Sequence, residues 1–122
     1  MEAFELEELL DERGRAGRPY LEFLRKASMS VGLYVLPAGG VDGQKPHSED
    51  ELYYVLSGRA TVMVGGEERA VRAGSVVFVA AEVEHRFHSI EEELVLLVFF
   101  APAEYSQATP QLSCYNSLLP KT

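Results

Sequence analysis

The sequence predicts an all-β fold, an antiparallel sandwich or barrel with a short helix in front of it. Three observations carry this. From residue 20 onward the apolar residues recur mostly at every second position, the period of a half-buried strand. Turn signals built on Gly, Pro and Ser interrupt the chain at short intervals. The length of 122 residues holds one domain, and a jelly-roll barrel fits it.

The elements follow in order. Residues 3–13 place Leu6, Leu9 and Leu10 on one helical face among acids, and Gly14, Gly17 and Pro19 end the pattern. Residues 1–18 are therefore predicted as helix and loop. Residues 20–25 alternate weakly. Residues 28–36 alternate clearly, with Met29, Val31, Leu33 and Val35 on one face. Pro37 to Gly40 is a turn, and residues 41–50 are polar and loop-like. Residues 51–56 form a strand rich in Tyr and Val, which Ser57-Gly58 is predicted to turn. Residues 60–64 and 68–71 flank Gly65-Gly66, a two-residue hairpin signal. Ala73-Gly74 turns the chain again. Residues 76–79 and 83–88 read as short strands, Glu91 to Glu93 as a solvated loop, and residues 94–101 as a continuous apolar strand. Met29, Tyr53, Phe78 and Phe87 are expected in the core. The barrel is thus assigned to residues 19–102. Residues 103–122 are expected to form an extended tail with an edge strand near 112–115.

Charge excludes some partners. Lys and Arg number 11 and Asp and Glu 19, so the net charge is 11 − 19 = −8. A nucleic-acid binder draws affinity from a basic face, and anionic lipid attracts the same residues. Neither partner is expected. Cys114 is the single cysteine, so no intramolecular disulfide is possible, and it is expected to be inert. The N-terminus lacks the basic and apolar regions of a secretory signal, and no apolar run reaches the length that spans a bilayer. A cytoplasmic location is the expectation.

The chemistry lies in the histidines, His47, His85 and His88. His47 and Glu51 differ by an even number, so an extended chain turns both the same way. Antiparallel pairing is able to bring the strand of His85 beside them. Two imidazoles and one carboxylate would then converge, the ligand set of a facial triad with open coordination positions. His88 is offset from His85 by an odd number and is expected to face the other way. Glu51 alone reads as a solvated strand residue. Its parity with Tyr53 and Val55 turns it inward, where a buried carboxylate needs a metal or a cation such as Lys45.

These runs resemble the paired motifs of the cupin superfamily of small jelly-roll barrels. The first motif is a glycine, five residues, His-x-His, three or four residues, a glutamate, six residues and a glycine. The chain supplies Gly39, Lys45, His47, Glu51 and Gly58. The second runs from a glycine through Pro-x-Gly to a histidine and an asparagine, and the chain supplies Gly74, Ala80, Glu82, His85 and Ser89. The resemblance covers residues 20–102. It implies a divalent metal, Fe, Mn, Zn or Ni, held by His47, Glu51 and His85. Glu49 shares the parity of Glu51, but the six-residue gap to Gly58 selects Glu51.

The departures open three readings of Lys45, which stands where the motif has a histidine. It turns away from a three-ligand site, it holds an anionic substrate group beside the metal, or it replaces the metal as the partner of Glu51. Three function classes follow. The first is a metalloenzyme acting on a small organic ligand, dioxygenase-like or isomerase-like. The second is a non-catalytic ligand-binding module. The third is a metal-independent epimerase-like enzyme with His47 or His85 as base and Tyr53 as acid. Tyr53 and Lys45 are the candidate catalytic residues. The run at 94–101 is apolar on both faces, and its outer face calls for a cover, either the N-terminal helix or a second subunit. Cupins commonly dimerise through such a surface, which implies a homodimer.

Overall fold

A computed structural model describes residues 1–43, 46–104 and 106. Among these it forms helix α1 (Leu6–Ala16) and strands β1 (Tyr20–Lys26), β2 (Met29–Leu36), β3 (Asp50–Val64), β4 (Glu67–Arg72), β5 (Val76–Val79) and β6 (His85–Ala101). All strand pairings are antiparallel, in the order β1-β2-β6-β3-β4, with β5 also paired to β3. This is the jelly-roll fold that the alternation predicts.

The helix starts and ends three residues later than the sequence pattern placed it. Gly14 lies inside it, and the chain turns out at Gly17, whose N–H donates to the carbonyls of Arg13 and Gly14. Leu9 is buried and Leu6 is exposed, so the apolar face is narrower than predicted.

Two predicted breaks are absent. Ser57-Gly58 does not turn the chain, because β3 runs through it for 15 residues. Gly58 (φ +97°) instead lies where the register between β3 and β6 shifts repeatedly, from Val55 to Thr61. A Cβ on Gly58 would sit 2.1 Å from the carbonyl oxygen of Glu93, so only glycine permits this approach of the two backbones. A glycine that marks a bulge reads in sequence like one that marks a turn. For the same reason Glu91 to Glu93 belong to β6 rather than to a loop: the 17-residue strand absorbs its bend at Ser89 (φ +50°) and stays paired on either side. The Gly65-Gly66 hairpin stands as predicted, with both glycines at positive φ and Val64 opposite Glu67.

The bulges matter because they fold the long β3–β6 ribbon over itself. Its inner face, with that of β2, forms the main core, in which Tyr34, Tyr53, Val55, Phe87, Leu94, Leu96, Val98 and Phe100 are each 1% exposed or less. A second cluster lies on the outer face of β2 and β6. There Leu33, Val35 and Val95 pack with Leu9 of α1, and Leu10, Leu21, Phe23 and Leu97 close around them. The outward side of the 94–101 run is therefore covered in part by the chain's own helix. Phe78 departs from the expectation. It is 60% exposed, opposite Leu52 on β3, because Val77 and Val79 take the inner face of the four-residue strand β5. The predicted edge strand near 112–115 and Cys114 lie outside the described residues, as does Lys45.

Candidate functional site

His47 precedes β3, Glu51 is the second residue of β3 and His85 is the first residue of β6. In the β3–β6 ladder His85 pairs with Val64, at the opposite end of β3 from Glu51. A straight ribbon would hold them about 40 Å apart, at roughly 3.3 Å per residue. The folded ribbon brings His85 Nε2 to 3.0 Å from Glu51 Oε1. Strand β5 closes the path, since Val79 pairs with Glu51 and the chain reaches His85 six residues later.

The turn between Val79 and His85 is clipped to the start of β3 and the segment before it. Asp50 Oδ1 accepts from Ala81 N–H at 2.9 Å, and the carbonyl of His47 accepts from Glu82 N–H at 2.6 Å. Two departures from the second motif are explained here. Glu82 has φ +68° and Ser89 φ +50°. The motif has Gly and Asn at these positions, residue types that enter the left-handed region at little cost. In this chain Glu82 and Ser89 hold left-handed backbone with side chains less suited to it.

The three residues sit together. His47 Nδ1 lies 3.2 Å from Glu51 Oε1, the same oxygen that faces His85 Nε2. Each residue offers one ligand atom, and the three atoms lie within 4.8 Å of one another. The imidazole centroids are 5.3 Å apart, with Phe100 edge-on to His47 at 4.9 Å. His47, Glu51 and His85 are 5%, 1% and 1% exposed, so the cluster is walled off from bulk water.

Burial by itself would raise the Glu51 pKa. The hydrogen bonds and charges of His47 and His85 outweigh it and hold the carboxyl down to about 2. Burial likewise works to lower the pKa of His85, but the hydrogen bond and charge of Glu51, the Val83 carbonyl and the charge of Asp42 raise it above the ordinary imidazole value.

The donor set suits a divalent cation. His85 Nδ1 is 2.9 Å from the carbonyl of Val83, which only accepts, so Nδ1 carries the ring proton. In the neutral ring Nε2 is then a lone pair aimed at a carboxylate oxygen 3.0 Å away. Two lone pairs at that distance need a proton or a cation between them. About 3 Å is also the spacing of neighbouring ligand atoms around an ion with bonds of ~2.1 Å.

The other sequence candidates divide. Tyr53 is fully buried in the core, edge-on to Phe87 at 4.8 Å and 6.1 Å from the His85 ring. His88 stays outside the cluster: its Nε2 is 2.7 Å from Glu68 and its Nδ1 2.9 Å from Ser89 Oγ. Glu49 is buried and accepts from the Ser48 hydroxyl.

Two buried acids escaped the sequence reading. Asp42 accepts from the Tyr34 hydroxyl and from Phe87 N–H, both at 2.9 Å, and so ties the loop after β2 to β6 beside His85. Glu104, beyond β6, places Oε2 3.6 Å from His47 Nε2. Both stand in loops, where no periodicity marks which way a side chain turns.

Comparison with known proteins agrees with the fold. A family model described as "Cupin domain" matches residues 32–100. SCO3923 of Streptomyces coelicolor, an uncharacterized protein, is 55% identical over 104 residues, which cover 85% of this chain and 99% of that protein. TT1209 from Thermus thermophilus superposes with a TM-score of 0.69 at 29% identity, covering 84% of this chain and 99% of the other. An RmlC-like cupin from Shewanella frigidimarina gives a TM-score of 0.64 at 20% identity, over 73% of this chain and 79% of the other.

Proposed function

The chain belongs to the cupin domain family, and from that premise we propose that His47, Glu51 and His85 hold one divalent metal ion on which a small organic ligand binds. The observation that carries this is the convergence of His47 Nδ1 and His85 Nε2 on one buried oxygen of Glu51. Bound there, a metal would supply a Lewis acid with open coordination positions for a chelating or anionic group. Fe, Mn, Zn and Ni all accept this donor set. The chain's own part is to orient the donors and to exclude water. Val83 fixes the His85 tautomer, Phe100 packs against His47, and Tyr53 stands beside His85 as the candidate proton donor to the ligand.

Elemental analysis of protein purified without chelator tests the reading. One equivalent of a transition metal or zinc is expected in the wild type, and a small fraction of that in His85→Ala. Equal content in the two proteins would overturn it. A metal-independent enzyme using Tyr53 as acid is the second reading, favoured by the buried Tyr53–His85 neighbourhood. Full activity in metal-free protein would select it.

We also infer a homodimer. Leu52, Tyr54, Val76 and Phe78 are exposed and lie opposite one another on β3 and β5, an apolar strip outside the cluster that packs on Leu9 of α1. Sedimentation velocity at micromolar concentration is expected to show a dimer that Phe78→Glu dissociates. A wild-type monomer there removes the inference.

A further inference from the structure

Glu104 belongs to neither motif and to no strand, yet it is among the most deeply buried charged residues, at 2% exposure. Its position is built. Beyond Ala101 the chain crosses to the β1–β2 hairpin and is fastened there. Glu104 N–H donates to Ser30 Oγ at 2.9 Å, and Ser30 is fully buried. Arg25 Nη2 donates to the Glu104 carbonyl at 2.6 Å. Ala103 N–H reaches the Ala27 carbonyl at 3.5 Å, and Ser106 N–H closes a turn on Ala103 at 3.0 Å. The backbone contacts leave the carboxylate to point into the barrel, where Oε2 comes within 3.6 Å of His47 Nε2. That is ion-pair range, longer than a hydrogen bond.

The two histidines then show one arrangement. Each turns one ring nitrogen to Glu51 Oε1, His47 through Nδ1 and His85 through Nε2. Each turns the other nitrogen to an oxygen outside the cluster: Val83 O for His85 and Glu104 Oε2 for His47. A neutral imidazole carries one proton and one lone pair, and a hydrogen bond or a negative charge at the outer nitrogen favours the proton there. The Val83 carbonyl accepts it for His85, and the Glu104 carboxylate attracts it across 3.6 Å for His47. Glu104 is not a fourth member of the inner cluster, which comprises His47, Glu51 and His85 alone among the described residues.

We propose that Glu104 is a positioning residue that holds the His47 proton on Nε2 and so presents Nδ1 as a metal donor. The proposal rests on the metal reading of the site and adds a residue from outside both motifs. It also ties the site to the hairpin, since Ser30 and Arg25 set where Glu104 stands.

Zinc affinity of the full-length protein, measured by competition with a chromophoric chelator, tests this. Glu104→Ala is expected to bind zinc ~10–100-fold more weakly than wild type. Glu104→Gln keeps the volume but removes the charge, so it should also bind zinc more weakly than wild type. Ser30→Ala, which loosens Glu104 without touching the ring, should fall between wild type and Glu104→Ala. Long-range ¹H–¹⁵N NMR of the zinc-loaded wild type should show the His47 proton on Nε2 and zinc on Nδ1. Thermal unfolding of each metal-free variant checks the fold, and Glu104→Gln carries the test if Glu104→Ala does not fold.

The failures are separable. A wild type that binds no zinc at the cluster overturns the metal reading, and this proposal with it. A wild type that binds zinc, with both Glu104 variants at wild-type affinity or with zinc on His47 Nε2, overturns the role of Glu104 and leaves the metal reading standing.

Discussion

Glu51→Ala is expected to remove metal from the protein and to lower the stability of the metal-free fold by about 3–5 kcal/mol. Both histidines face Glu51, at 3.2 and 3.0 Å, and all three are nearly inaccessible to water. A carboxyl at that depth stays ionised only because the two imidazoles hold its pKa near 2. Taking it away leaves two buried ring nitrogens without the oxygen they face. His85, whose raised pKa depends on Glu51, then sheds its proton or remains charged in an apolar surround, and both outcomes cost free energy. The cavity left by the side chain adds to the loss. Urea unfolding of metal-free protein reads the stability, and elemental analysis reads the metal. Glu51→Gln separates the two effects: it keeps the volume, so it should destabilise less, yet an amide is a poor ligand and metal should still be lost. An unchanged urea midpoint in Glu51→Ala would show that the cluster is a bystander in folding. Unchanged metal content would show that the ion binds elsewhere.

The part of this site legible in sequence was the part that strand geometry encodes. His47 and Glu51 declare a common direction by their even separation, and the structure turns both inward. His85 was readable through the spacing of its motif, although its strand pairs with the far end of β3. No local pattern states that the ribbon folds over. That information is stored in Gly58 and Ser89, which read in sequence as a turn residue and a motif position just past the end of a strand until the paired backbones are seen. Asp42 and Glu104 were illegible for another reason. Their direction is set by contacts made across 45 residues in one case and 74 in the other, and loops have no period to betray a buried face. The sequence places Phe78 in the core because four consecutive apolar residues offer two equivalent faces. Packing against the core, rather than hydrophobicity, chose between them.

The pH dependence of stability is expected to invert when metal is bound. In metal-free protein the Glu51 pKa is depressed, so its contribution is fully present above the ordinary carboxylate value of ~4.3 and is lost as pH falls toward about 2. The His85 pKa is raised, so its contribution is fully present below the ordinary imidazole value of ~6.5 and is lost as pH rises through the raised value. Stability from this pair is therefore greatest between roughly pH 4.3 and 6.5 and declines on the alkaline side. Metal reverses the alkaline limb. The proton and the metal compete for His85 Nε2, because Nδ1 is committed to Val83. Raising the pH removes the competitor, so affinity climbs as metal-free stability falls. Metal at a thousand times its dissociation constant adds about 4 kcal/mol to the folded state. Melting curves from pH 5 to 8, with chelator and with excess zinc, should give a small separation at pH 5 and a wide one at pH 8. His85→Ala should abolish most of that separation. Parallel profiles with and without zinc would mean that no proton is displaced when the metal binds, and would place the ion away from His85.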